Sequence, residues 1–170
     1  MLEGKTVNVR AVELKDWPEV LDILFLPGVL EAMTLNPHEV TRSNVGEKLY
    51  PKDAKVFAVT TKKGKIIGTK SLGHFDAANG SAALILSAIH PDFRHKGINE
   101  EARILLRDYA FRSLRLHRLH FSAWRKPGEE RDFCGSHGSV YEGYLRHAGY
   151  KDGQWLDLHL GAFINDGEQQ

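Results

Sequence analysis

The stretch with the clearest chemical potential is Arg94-His95-Lys96-Gly97-Ile98-Asn99, basic side chains and a glycine set directly ahead of a helical run. Arg94 and Lys96, joined by His95, gather positive charge at one place, and Gly97 lets a ligand approach the backbone closely. A helix starting here aims free backbone N–H groups and a positive dipole end at whatever sits above it. What these features share is anion binding, and a phosphate suits them best. Strand-loop-helix turns of this composition are common, and an ordinary solvated turn fits the stretch equally well.

The elements that would position these groups lie on either side. Residues 82–89, Ala-Ala-Leu-Ile-Leu-Ser-Ala-Ile, form a short apolar run suited to a buried strand. Behind the loop, Ala102, Leu105, Leu106, Tyr109 and Ser113 recur at helical spacing, which predicts a helix from near Asn99. Upstream, residues 6–10 alternate like a strand, and residues 13–26 have helical spacing with Pro18 tolerable only in the first turn. A weaker helix is predicted over residues 41–49. Residues 55–61 and 65–73 read as strands around a Lys62-Lys63-Gly64 turn, and Asn79-Gly80 is a second turn signal. Residues 117–124 read as the strand after the long helix, and residues 141–147 with 154–163 as a closing hairpin.

Composition narrows the function. The 170 residues are one domain's worth of chain. A formal net charge of +1 argues against a nucleic-acid binder that relies on a broad basic field. The single cysteine, Cys134, rules out an internal disulfide and suits a reducing cytoplasm. No apolar run approaches the ~18 residues of a membrane span, and no signal-peptide core is evident. A metal site is not expected, because His117 and His120 fall on opposite faces of a strand and no cysteine pair accompanies them.

The wording of the loop resembles a known family. Arg94 to Asn99 is similar to the Arg/Gln-x-x-Gly-x-Gly/Ala pyrophosphate loop of the GCN5-related N-acetyltransferases (GNAT). Glu101-Ala102, Tyr109-Ala110-Phe111 and residues 114–119, Leu-Arg-Leu-His-Arg-Leu, resemble the RimJ/RimL branch of that family. The resemblance implies an α/β (α+β) GNAT fold, a mixed and mostly antiparallel twisted sheet of about seven strands flanked by about four helices. It implies one domain over residues 1–164, with a polar, frayed tail at 165–170. It further implies acetyl-CoA as co-substrate and a primary amine as acceptor, in a cytoplasmic monomer or homodimer. In such a site Arg94, His95, Lys96, Gly97, Ile98 and Asn99 would hold the pyrophosphate, and the main chain of Ser87, Ala88 and Ile89 would contact the pantetheine arm.

Several positions depart from the family's pattern. Asn99 and Glu100 replace a small residue and a threonine, and Glu100 should repel a phosphate. Leu84 stands where a glutamate is usual, and Gly149 stands before Tyr150 where some relatives carry a glutamate base. Residues 126–139 replace an Asn-x-Arg-Ser helix with a glycine-rich segment holding Cys134, Ser136 and His137. Ser136 and His137 are the candidate proton donors, with His74 and Asp76 expected to face the cleft as alternatives. Two readings follow: an active N-acetyltransferase, or a weakened homologue that binds acyl-CoA or a partner without efficient turnover. If residues 126–139 supply the general acid, Ser136→Ala with His137→Ala should lower kcat/KM by ~100-fold at unchanged cofactor affinity. Steady-state kinetics on the single and double variants measures this, and retained activity assigns the proton to water or substrate.

Overall fold

The computed structural model describes residues 1–94, 97–128 and 138–167. Its centre is a sheet of eight strands: β1 (Leu2–Glu3), β2 (Val7–Ala11), β3 (Lys55–Thr61), β4 (Ile66–Asp76), β5 (Ser81–Ile89), β6 (Arg118–Arg125), β7 (Val140–Lys151) and β8 (Gln154–Ile164). They lie in the order β1-β2-β3-β4-β5-β6-β8-β7. Every neighbouring pair is antiparallel except β5 and β6, which run parallel. Four α-helices accompany the sheet: α1 (Trp17–Leu24), α2 (Leu30–Met33), α3 (Val45–Leu49) and α4 (Ile98–Arg112). The strand beyond the expected seven is β1, too short for a periodic signal.

Both faces of the sheet are covered. On one side α4 buries Ile98, Ala102, Leu106 and Ala110, one residue per turn, against Val7, Val9, Val59, Ile67 and Leu119. On the other side α1 to α3 bring Val20, Leu24, Leu30 and Val45 onto Ala58, Ile66, Leu86 and Ala88. The predicted first helix opens as a 3-10 turn over Leu14–Asp16, and Pro18 falls in the first turn of α1, where no donor is lost. The predicted second helix begins only at Val45, because Asn44 Oδ1 accepts from the Thr41 N–H at 2.7 Å and closes a turn first.

A bulge in β5 decides what the site receives. Leu72 is opposite Leu84 but Ser71 is opposite Leu86, so Ile85 is an extra residue in the ladder. The alternation shifts by one past that point. Leu84 lies in the core layer under α4, Leu86 and Ala88 in the other layer, and Ser87 comes to hydrogen-bond Asn99 of α4.

Two polar clamps fix the ends of this frame. The Glu101 carboxylate accepts from the Thr6 N–H at 2.9 Å and from the Thr6 hydroxyl, tying α4 to the turn between β1 and β2. The tail is less free than expected at its start, since Asn165 N–H donates to His117 O at 2.8 Å. No helix among the described residues is long and apolar enough to cross a membrane.

The other clamp is a bidentate pair. Arg10 of β2 donates from Nη1 and Nη2 to the Asp16 carboxylate at 2.5 and 2.9 Å, and Asp16 also accepts from the Glu13 N–H at 2.8 Å. The Arg10 hydrogen bonds, followed by that from Glu13, hold the Asp16 pKa down from 3.8 to about 2. A folded-state pKa below the unfolded one contributes stability that is present above pH 3.8 and lost as the pH falls through about 2. Asp16→Ala should therefore cost about 1–3 kcal/mol in urea unfolding at pH 7, and the gap from the parent should narrow toward pH 2.

Candidate active site

The parallel pair β5–β6 is hydrogen-bonded only at Ser81–Arg118, Ala82–Leu119 and Ala83–His120. Past those positions the strands separate, although β5 continues to Ile89 and β6 to Arg125. The gap is a cleft of about 770 Å³. Residues 84–89 of β5 and 121–125 of β6 form two of its sides. Val29, Ala32, Met33 and Thr34, in and beside α2, and Lys48 and Leu49 of α3 form a third. Arg94 and the first turn of α4, through Asn99, Glu100 and Arg103, close one end.

The chain leaving β5 is turned sharply into α4. His90 N–H donates to Ile67 O at 2.8 Å, and Pro91–Phe93 form a 3-10 turn whose Asp92 N–H donates to His90 Nδ1 at 3.3 Å. Arg94 Nε donates to Ile89 O at 3.1 Å, which holds the guanidinium at the strand tip. Gly97 caps α4 at φ 69° and ψ 0°, a left-handed conformation that a side chain would strain. A Cβ at Gly97 would meet nothing within 4 Å, so torsion and not crowding demands the glycine. The result is a helix N-terminus opening onto the cleft beside Arg94, as the sequence led us to expect.

The charges around that terminus were harder to foresee. Glu100 is paired with Arg103 at 2.6 Å, so its carboxylate is compensated within the helix. Arg103 in turn packs its guanidinium over Phe121 and Phe163, 5.4 and 5.3 Å from the ring centroids. Lys70 of β4, wholly buried, donates from Nζ to Ser87 Oγ at 2.6 Å and to Asn99 Oδ1 at 2.8 Å. Ser87 Oγ–H donates to Asn99 Oδ1 at 2.9 Å, closing the triad. Burial, reinforced by the Arg103 charge and opposed by Glu100, pushes the Lys70 pKa down from 10.5 to about 7.

Of the residues singled out from the sequence, Ser87, Ala88, Ile89, Arg94 and Asn99 line the cleft, while Gly97 and Ile98 start α4 directly beside it. His95, Lys96, Cys134, Ser136 and His137 lie outside the described residues. His74 and Asp76 do not line the cleft, contrary to expectation. They sit at the hairpin end of β4, where Asp76 accepts from the N–H and Nδ2 of Asn79, whereas the cleft opens at the other end of β5. Among the described residues no cluster of three or more histidine, cysteine, aspartate or glutamate side chains could hold a metal ion.

Sequence reasoning missed Lys70, Arg103, Ser122 and Trp124. The one available signal was Lys70 itself, the single charge among residues 66–73 of β4. Trp124 explains Gly149: a Cβ there would lie 2.7 Å from Trp124 Cζ3 and 2.9 Å from Leu35 Cδ1. The space a glutamate base would need is filled by an aromatic ring.

Comparison with known proteins gives a consistent picture. The family model for an acetyltransferase (GNAT) domain matches residues 6–126, well over half of the chain. The Probable N-acetyltransferase YjcK of Bacillus subtilis (strain 168) is 28% identical over 183 aligned positions, covering 100% of both chains. Among solved structures, a chimera of the spermidine N-acetyltransferase SpeG from Vibrio cholerae and hSSAT superimposes with a TM-score of 0.78 at 19% identity, covering 94% of this chain and 96% of that one. A GCN5-related N-acetyltransferase from Brucella melitensis gives 0.74 at 22% identity, covering 96% of this chain and 78% of that one. At such identities the two structures bear on the fold alone.

The crowding at Gly149 makes a sharp expectation. Gly149→Ala should destabilise the protein by roughly 1–3 kcal/mol through overpacking, and Trp124→Ala in the same chain should remove most of that penalty. A double-mutant cycle in chemical denaturation reads the coupling, and additive effects would show that Trp124 is not the obstacle.

Proposed function

The chain belongs to the GNAT acetyltransferase family, and from that premise we propose that it moves an acetyl group from acetyl-CoA to a primary amine by direct attack in a ternary complex. The amine nitrogen bonds to the thioester carbonyl carbon, the carbon–sulfur bond breaks, and the thiolate leaves with a proton that began on the amine. The observation that carries this reading is the separation of β5 and β6 beyond Ala83 and His120, in a cleft that ends at the N-terminus of α4.

Each part of the cleft has a task in this reaction. The α4 N-terminus and Arg94 would receive the cofactor's phosphates. The edge of β5 from Ser87 to Ile89 would flank the pantetheine arm, and a backbone N–H there would polarise the thioester carbonyl. Holding amine and thioester together supplies most of the acceleration such a transfer needs. The wall built by α2 and α3 would position the acceptor. Assignment to the RimJ/RimL-like branch is part of the same reading, supported by the wording of residues 101–119, as is work in a reducing cytoplasm.

The charge of the cleft bears on the acceptor. Its described lining carries Lys48, Arg94, Arg103 and Arg125 against one carboxylate, Glu100, which is already paired with Arg103. That balance favours an amine on a neutral or acidic body, such as a peptide N-terminus, over a polycation like the spermidine named for one structural neighbour. A second reading, binding without efficient turnover, draws on another observation: no histidine, cysteine or tyrosine is among the described residues lining the cleft.

Calorimetry with acetyl-CoA, followed by a thiol-release assay over an amine panel, decides between these readings. Binding with thiol release on a peptide or small amine supports transfer, and binding without release supports the second reading. Arg94→Ala should weaken acetyl-CoA by about 1–3 kcal/mol, the scale of a charge-assisted hydrogen bond. Unchanged affinity would remove Arg94 from the phosphate site.

A further inference from the structure

Lys70 has no role in the transfer as described, yet its position is costly. It is a fully buried amine in the middle of a central strand, and its hydrogen-bond partners, Ser87 Oγ and Asn99 Oδ1, are both neutral. Among the described residues no carboxylate forms an ion pair with it. Both partners line the cleft, so Lys70 stands one side chain behind the surface that faces the α4 N-terminus.

The charges facing Lys70 come from α4 and from the strand tip. On α4, Arg103 opposes a positive charge on Lys70, while Glu100 favours one but is already held by Arg103. The helix terminus adds a positive dipole end, and Arg94 adds a guanidinium at the end of β5. On β5 the facing residue is Ser87, and on β3 it is Phe57, both uncharged. The local balance is positive, and it reverses when a pyrophosphate enters the cleft.

We propose that Lys70 is a buried counter-charge for the phosphates of acyl-CoA, taking up a proton from solvent as those phosphates settle at the N-terminus of α4. The inference rests on the cofactor reading above and adds to it that binding is proton-linked. Burial keeps the amine largely neutral at mildly alkaline pH in the free protein, since its pKa lies near 7. The dianionic pyrophosphate favours the ammonium form through the field, with Ser87 and Asn99 accepting its hydrogens in either state. The Asn99 carboxamide thus links Lys70 to the loop that receives the phosphates.

Isothermal calorimetry with acetyl-CoA at pH 8, repeated in buffers of unlike ionisation enthalpy, counts the protons exchanged. The parent protein should take up a sizeable fraction of a proton, and Lys70→Met, with its fold verified by circular dichroism, should lose that uptake and bind acetyl-CoA several-fold more weakly. Should Lys70→Met not fold, Nζ resonances of 15N-lysine-labelled parent protein decide the matter: a Lys70 titration midpoint that rises on adding acetyl-CoA supports the proposal, and an unmoved midpoint overturns it. Acetyl-CoA binding without proton uptake, or with uptake equal in Lys70→Met, overturns the proposal and leaves the transferase reading intact. Absence of acetyl-CoA binding overturns both.

Discussion

A parallel pair of strands that hydrogen-bonds at three positions and then parts leaves one edge of β5 without a sheet neighbour from Leu84 to Ile89. Backbone donors and acceptors at such an edge must be met by something, whether water or a ligand chain lying alongside. The core cannot close over them, because both faces of β5 are already committed, one to α4 and the other to α1 through α3. An extended ligand arm can add itself to the edge as a strand would. The bulge at Ile85, the turn through Pro91–Phe93 and the left-handed Gly97 then serve one arrangement: they deliver a helix terminus to the end of that open edge.

The electrostatics of the α4 terminus show how neighbouring cations are accommodated within the protein. The Arg103 guanidinium is paired with Glu100 and lies over the faces of two phenylalanine rings. Arg94 is tethered through a neutral carbonyl and keeps its exposure to solvent. Lys70 has neither solvent nor a carboxylate, and its lowered affinity for a proton relieves the strain that a fixed charge would impose. These are three different answers to the same repulsion. The one that titrates is the deepest, where a nearby phosphate would be screened least.

The long elements were legible because their signals are local. The spacing of Ala102, Leu106 and Tyr109 and the apolar run 82–89 mark α4 and β5 without reference to the rest of the chain. The turn ahead of α4 was legible for the same reason, since Arg94, Gly97 and Asn99 are neighbours in sequence. What failed to show was tertiary. Lys70 is an isolated charge within a strand until α4 is seen to lie over it. His74 and Asp76 were placed at the cleft because a strand end was assumed to be the cleft end, whereas β4 runs antiparallel to β5 and ends at the opposite side. Gly149 looked like a lost base until Trp124, on a strand 25 residues earlier by numbering, was seen to fill its space.

The departures from the family's usual wording also stop looking like separate losses. A glycine or alanine at position 99 would leave Lys70 with Ser87 alone as its acceptor, and an unsatisfied buried donor costs about 1–3 kcal/mol. Asn99 is therefore matched to Lys70, which lies 29 positions away in β4. Glu100 is matched by Arg103, Leu84 is buried opposite Leu72, and Gly149 is matched by Trp124. Each described departure meets a partner of complementary charge, hydrogen bonding or shape. The contacts around the cleft differ from the family's usual wording, while the splayed strands and the helix terminus are in place.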